Sequence, residues 1–332
     1  MNSKILYPII FILLLVTSCD SPSDNYDNSN DVFDVELLNQ SNMVESVELV
    51  DCELENGTET KCYKVVFISN PVEDGPYCPE TINDLGGVGI YDGATNSGFQ
   101  VMKDELWYAM EADGYDIIDE NGNINIADPG NMSASAGTAA CLEATPNENL
   151  QLTYYIPAVP KLSGNPNYID IVEDVGISVD GIPFKGHPPS VVHGPPGMGS
   201  GGGIPSIDPC GGHVDPNGYY HLHFAAEEMN NIFSTYDISE VGCSVFSQTS
   251  TAFVGYAKDG YPMYASKDND ETMPSNLDEC QGHTSPTIEY PEGIYHYHAS
   301  STNAPNLPSC LMGVSVSRAL EGIGSGPPPP GP

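Results

Sequence analysis

Six of the chain's eight histidines fall in two short stretches, "DPCGGHVDPNGYYHLH" at 208–223 and "DECQGHTSPTIEYPEGIYHYH" at 278–298. Each stretch spells Asp-x-Cys-x-Gly-His and then a His-x-His pair, so His213 precedes His221 and His223 just as His283 precedes His296 and His298. On an extended strand alternate side chains share a face. The two imidazoles of each pair therefore sit together, while Tyr220 with Leu222, or Tyr295 with Tyr297, turn to the opposite face. Imidazoles so placed can reach a single metal ion, and the upstream histidine supplies a third nitrogen. Three neutral imidazoles with an open fourth position suit Zn²⁺ or Cu²⁺, with Asp208 and Asp278 as carboxylates able to orient a ring nitrogen. The spacing allows two three-histidine sites, or one site shared between the stretches. The competing role is structural, with rings packed on tyrosines and hydrogen-bonded in a tight turn. His187 and His193 have no counterpart in the second stretch and read as loop residues.

Other chemistries find little support. The chain has no Gly-x-Ser-x-Gly elbow and no His-Glu-x-x-His, and every cysteine has a plausible partner. Metal-hydroxide or copper redox chemistry would need only the histidine cluster and an acid. With 46 acidic against 9 basic residues the net charge is −37, which argues against nucleic acid as a partner. The stretch after Asp116 or Asp119 lacks the glycine that a calcium loop needs at its sixth position.

The elements that must position the histidines are strands. "CYKVVFIS", "LQLTYYIPAV", "YIDIVEDVGISVDGIPF" and "STAFVGYAKDGYPMYA" are rich in β-branched and aromatic residues and bounded by turn formers. Hairpins are expected at Asn56-Gly57 and Asn121-Gly122, and short helices at 103–113 and 225–236. "VGISVDGIPF" (175–184) matches "VGYAKDGYPM" (254–263), and in both copies the same two histidine-bearing boxes and a later cysteine follow in the same order. The expectation is a mainly β fold of duplicated units, 175–246 and 254–314, about a pseudo-twofold axis, turn-rich and disulfide-braced, with 34 glycines and 29 prolines.

The N-terminus reads as an export signal. Lys4 precedes an apolar run from Ile5 to Val16, too short to span a bilayer, and small residues lead into Cys19. The "LVTSC" junction resembles a bacterial lipobox, so residues 1–18 read as a lipoprotein signal peptide. Cys19 is then the lipid-bearing first residue of the mature chain and anchors it to a membrane. Residues 19–45 read as an acidic disordered tether, 46–316 as the folded domain, 194–203 as a flexible loop and 317–332 as a disordered Pro/Gly-rich tail. The location expected is the outer membrane, on its surface or periplasmic side. Eight cysteines remain in an oxidising compartment, and their order suggests Cys52–Cys62, Cys78–Cys141, Cys210–Cys243 and Cys280–Cys310.

The boxes "YAKDGYPMYA", "LDECQGH" and "GIYHYH" with Cys310 and Gly313, preceded by "VGISVDGIPF", "CGGH" and "YYHLH", resemble the YHYH-domain family. The resemblance covers roughly residues 60–314. Two departures stand out: "YYHLH" replaces Tyr-His-Tyr-His in the first copy, and Tyr261 replaces a phenylalanine. Neither removes a histidine. The resemblance implies an architecture and a motif without a reaction, leaving metal binding beside a second possibility, docking of protein or glycan by a non-catalytic scaffold.

Overall fold

The computed structural model of the chain describes residues 30–70, 72, 75–131, 139–193 and 202–322. The export segment, Cys19, most of the expected loop at 194–203 and everything beyond 322 lie outside the described residues.

In the first copy of the repeat the strands are β1 (Asp174–Ser178), β2 (Pro183–Lys185), β3 (Gly212–Val214) and β4 (Tyr220–Leu222). In the second they are β5 (Phe253–Ala257), β6 (Pro262–Tyr264), β7 (Gly282–Ser285) and β8 (Ile294–His298). The Asp-Gly turns join β1 to β2 and β5 to β6, because Gly181 (φ +83°) and Gly260 (φ +90°) take the left-handed backbone that closes a short hairpin loop. Gly181 is doubly required, since a Cβ there would lie 2.1 Å from the Phe67 ring.

All eight strands form one sheet in the order β3-β4-β2-β1-β5-β6-β8-β7, which reads alike from its centre outward in either direction. Within each copy the pairings alternate identically: antiparallel at the hairpin, parallel at β2·β4 or β6·β8, antiparallel at β3·β4 or β7·β8. At the middle β1 runs antiparallel to β5, and Ile177 faces Tyr256, its own counterpart in the repeat. A pseudo-twofold axis therefore passes between these two residues.

One core cluster joins Val175, Ile182, Phe184, Tyr220 and Leu222 to Val254, Met263, Tyr295 and Tyr297, so both copies share one apolar interior. Each such side chain, fully buried, contributes roughly 1.5–3 kcal/mol relative to exposure. Ile177 and Tyr256 pack instead against a four-stranded antiparallel sheet of Glu48–Glu53, Glu59–Ile68, Gln151–Pro157 and Leu320–Gly322, through Phe67, Leu152 and Ile156. Trp107 and Leu106 of the helix Asp104–Ala112 centre a further cluster. The other expected helix is a 3-10 turn, Ala226–Glu228, running into an α-helix, Met229–Thr235.

Three expectations are corrected. Residues 31–45 are no tether: Phe33 is buried, stacking on Tyr63 at 4.8 Å, and the Val32 N–H donates to the Ala158 carbonyl. Residues 317–322 do not belong to a tail, because Leu320–Gly322 pairs with Leu152–Tyr154 as an edge strand. Asn121-Gly122 makes a turn with only a single bridge, Ile118 to Ile124, because Asp119 Oδ1 accepts the N–H groups of Asn121 and Asn123 and draws the loop onto itself.

The four disulfides are Cys52–Cys62, Cys78–Cys141, Cys210–Cys243 and Cys280–Cys310, with Cα separations of 5.8, 5.9, 4.6 and 4.9 Å. Each of the last two lies within one copy of the repeat.

Candidate metal centres

Each centre is built from the Asp-x-Cys-x-Gly turn upward. Asp208 Oδ1 accepts from the N–H groups of Cys210 (2.8 Å) and Gly212 (3.2 Å), and Asp278 Oδ1 accepts from Cys280 and Gly282, both at 2.9 Å. The other oxygen of each carboxylate takes a tyrosine hydroxyl, Tyr220 to Asp208 at 2.5 Å and Tyr295 to Asp278 at 2.8 Å. This corrects the expectation that Asp208 and Asp278 orient imidazoles. They hold the turn and tie it to a tyrosine of the histidine-pair strand, Tyr220 of β4 or Tyr295 of β8, since a short Asp side chain reaches nearby backbone N–H groups first.

That turn sets the register that brings the third histidine in. His213 stands directly opposite His221 across β3 and β4, and His283 opposite His296 across β7 and β8. The result is two separate triads near the two ends of the sheet, not one shared site. In the first, the Nε2 atom of His223 lies 3.1 Å from those of His213 and His221. In the second, the Nε2 distances are 3.0 Å (His283–His296), 3.2 Å (His283–His298) and 3.1 Å (His296–His298). His187 and His193 belong to neither triad; His193 Nδ1 meets Asp92 Oδ2 at 2.8 Å.

In four of the six rings the opposite nitrogen, Nδ1, is held by an oxygen, whereas His221 Nδ1 is buried without a partner among the described residues. His298 Nδ1 donates to the Ala265 carbonyl (2.7 Å), His296 Nδ1 to Ile294 (3.0 Å), His223 Nδ1 to Gly186, and His283 Nδ1 to Asn276 Oδ1 (3.0 Å). An acceptor at Nδ1 keeps the proton there and leaves the Nε2 lone pair bare. Burial reinforces the neutral state: it pushes His213 and His296 down to about 4, lowers His298, and holds His221 and His223 well below the usual histidine range.

The second triad has a neighbour that sequence reasoning did not single out. Asp268 Oδ1 lies 3.2 Å from His283 Nε2 and 3.5 Å from His298 Nε2, from a loop between β6 and β7. Nothing in the sequence separates it from the other acids, which number 46 in all. The two groups His213/His221/His223 and Asp268/His283/His296/His298 can each hold a metal ion.

Compared with known families, the chain matches the one described as YHYH protein over residues 153–276 and 268–313. The chain belongs to the YHYH-domain family. No curated protein and no solved structure matches it. The match spans both triads, and the family's namesake box is β8, where Tyr295 and Tyr297 serve the core while His296 and His298 line the centre.

The departure of the first copy from the YHYH pattern has a visible counterpart. Tyr297 donates its hydroxyl to the buried Asp259, which also accepts the Gly313 N–H at 2.9 Å. The first copy has Leu222 in place of Tyr297, and its equivalent aspartate, Asp180, lies nearer the surface, accepting from Asn39 Nδ2 at 2.7 Å.

Proposed function

We propose that this chain is an exported, lipid-anchored YHYH-domain protein whose two histidine triads each bind a transition-metal ion, Zn²⁺ or Cu²⁺. One observation carries the reading: the Nε2 atoms of His283, His296 and His298 converge at 3.0–3.2 Å, and in the first triad His223 Nε2 lies 3.1 Å from those of His213 and His221. Nitrogens bound to one tetrahedral zinc at about 2.0–2.1 Å stand about 3.3 Å apart, so a metal fits with little movement. Three lone pairs aimed at one point repel without a cation, and rings whose protons sit on Nδ1 have no hydrogen to share there. Imidazole nitrogen suits both zinc and copper.

The export half of the proposal draws on the apolar run before Cys19 and on four disulfides, which persist in oxidising compartments. It places the mature protein on the outer membrane, at the cell surface or periplasmic face. Metal analysis of full-length protein purified without an affinity tag, followed by titration with Zn²⁺ and with Cu²⁺, tests the binding. Two ions per chain are expected. No retained metal together with no binding heat refutes it, leaving the boxes as structural corners in a scaffold that docks protein or glycan.

A further inference from the structure

The two centres differ at equivalent positions of the repeat. Gly186 and Ala265 correspond, because each carbonyl accepts the Nδ1 hydrogen of the last histidine in its box. Counting onward from each reaches Pro189 in the first copy where the second has Asp268. Proline offers no ligand atom, so the loop that brings a carboxylate to the second triad brings none to the first. Among the described residues no carboxylate joins His213, His221 and His223. Asp215, the nearest in sequence, turns its Oδ1 to the N–H and Nδ2 of Asn217.

One residue before each of those carbonyls the contrast repeats. Tyr264 sets its ring against His296, centroids 5.0 Å apart, whereas the first copy has Lys185, buried and paired with Asp174 at 2.5 Å. Burial opposes the charge on Lys185, but Asp174 and neighbouring acidic groups outweigh it and hold the ammonium above the usual lysine range. Lys185 and Asp174 form a neutral pair, so the charge difference between the two centres is the Asp268 carboxylate beside the second. The first centre also lies beside open space: half-buried His213 lines a cleft of about 330 Å³ with Asn70, Tyr77, Glu143 and Ser206.

We propose that the first centre accepts an exchangeable anionic fourth ligand from this cleft, while Asp268 closes the second. The proposal rests on the reading that both triads hold a metal. A divalent ion on three neutral imidazoles keeps its full charge and completes its coordination from solvent, as at zinc centres with three protein ligands. At the second triad a carboxylate supplies the fourth donor and cancels one unit of charge. The ligand class is a small monodentate anion such as hydroxide or a carboxylate.

The test uses the full chain loaded with Co²⁺, whose visible absorption reports its ligand set, with azide as the probe anion. Two cobalt ions per chain and one azide bound per chain are expected. Asp268→Ala should raise azide to two per chain, and Pro189→Asp, which keeps every histidine, should reduce it to none. Azide binding at both centres or at neither in the unaltered protein overturns the inference while leaving metal binding intact. Fewer than two cobalt ions per chain removes the parent reading as well, so the two failures are told apart by stoichiometry.

Discussion

Tyr297 gives its hydroxyl hydrogen to Asp259 at 2.5 Å, deep in the core that the two repeats share. The same oxygen accepts the Met312 N–H at 2.7 Å, so one hydroxyl links β8, the β5–β6 turn and the strand that carries Cys310. Tyr297→Phe removes a donor from a buried carboxylate and should cost about 1–3 kcal/mol. Urea denaturation checks this, with Leu222→Phe as the control: Leu222 has no hydroxyl to lose, so its swap should show only a repacking effect. Equal costs for the two variants would mean that the hydroxyl contributes nothing specific.

The double substitution His296→Ala/His298→Ala should reduce bound metal from two ions per chain to one. Tyr295 and Tyr297 carry the core face of β8, so far-ultraviolet circular dichroism should stay as in the unaltered protein. Calorimetric titration with Zn²⁺ that still shows two sites would dissociate the second triad from binding.

Acid should destabilise the metal-free protein between pH 6.5 and 4. His213 and His296 titrate near 4 in the fold, and His221, His223 and His298 also lie below the ordinary 6.5. The unfolded chain then binds more protons in that window, so the contribution is full above 6.5 and fades as pH falls, by about 1 kcal/mol per pH unit for each such histidine. Asp259 works the other way: burial raises it to about 6, so its contribution is present below about 4 and lost as pH rises through 6. Glu227, raised by burial to about 7, acts like Asp259, and His187, lowered by burial, adds to the histidines, so six imidazoles against two carboxyls leave acid destabilisation dominant. Melting temperatures at pH 7, 5.5 and 4.5 check the sign, and added Zn²⁺ should hold the pH 5.5 value near that at pH 7.

Replacing Cys280 and Cys310 together by Ala should cost roughly 2–5 kcal/mol, from a bridge closing 30 residues. Because the Cys280 N–H belongs to the turn that sets β7 against β8, the same variant should also weaken zinc binding at the second triad more than at the first. Denaturation and site-resolved titration in the His221→Ala/His223→Ala background measure the two effects separately.

Mass spectrometry of the mature N-terminus should find a diacylglyceryl-modified Cys19. An unmodified N-terminus beginning elsewhere would end the lipid-anchor proposal and return a ninth cysteine to the thiol count.

What the sequence determined by itself is what local rules carry. A period of two puts His296 with His298 and Tyr295 with Tyr297, the glycines at 181 and 260 mark the hairpin turns, and repeated order marks the duplication. Cysteine order likewise pointed to the pairs that the disulfides form. What needed the tertiary structure is what depends on register and long-range approach. Only the antiparallel pairing of β7 with β8 sets His283 opposite His296, and only loop packing carries Asp268 to that triad, while Pro189 stands at the equivalent place in the first copy and no carboxylate among the described residues joins its triad. Asp208 and Asp278 look like partners for the histidines until the turn closes, whereupon backbone N–H groups and a tyrosine take both their oxygens. The physical reason is the same throughout. Side-chain direction along a strand follows from backbone geometry and is local, whereas which strand lies alongside, and in what register, is settled by burial and hydrogen bonding summed over residues far apart in the chain.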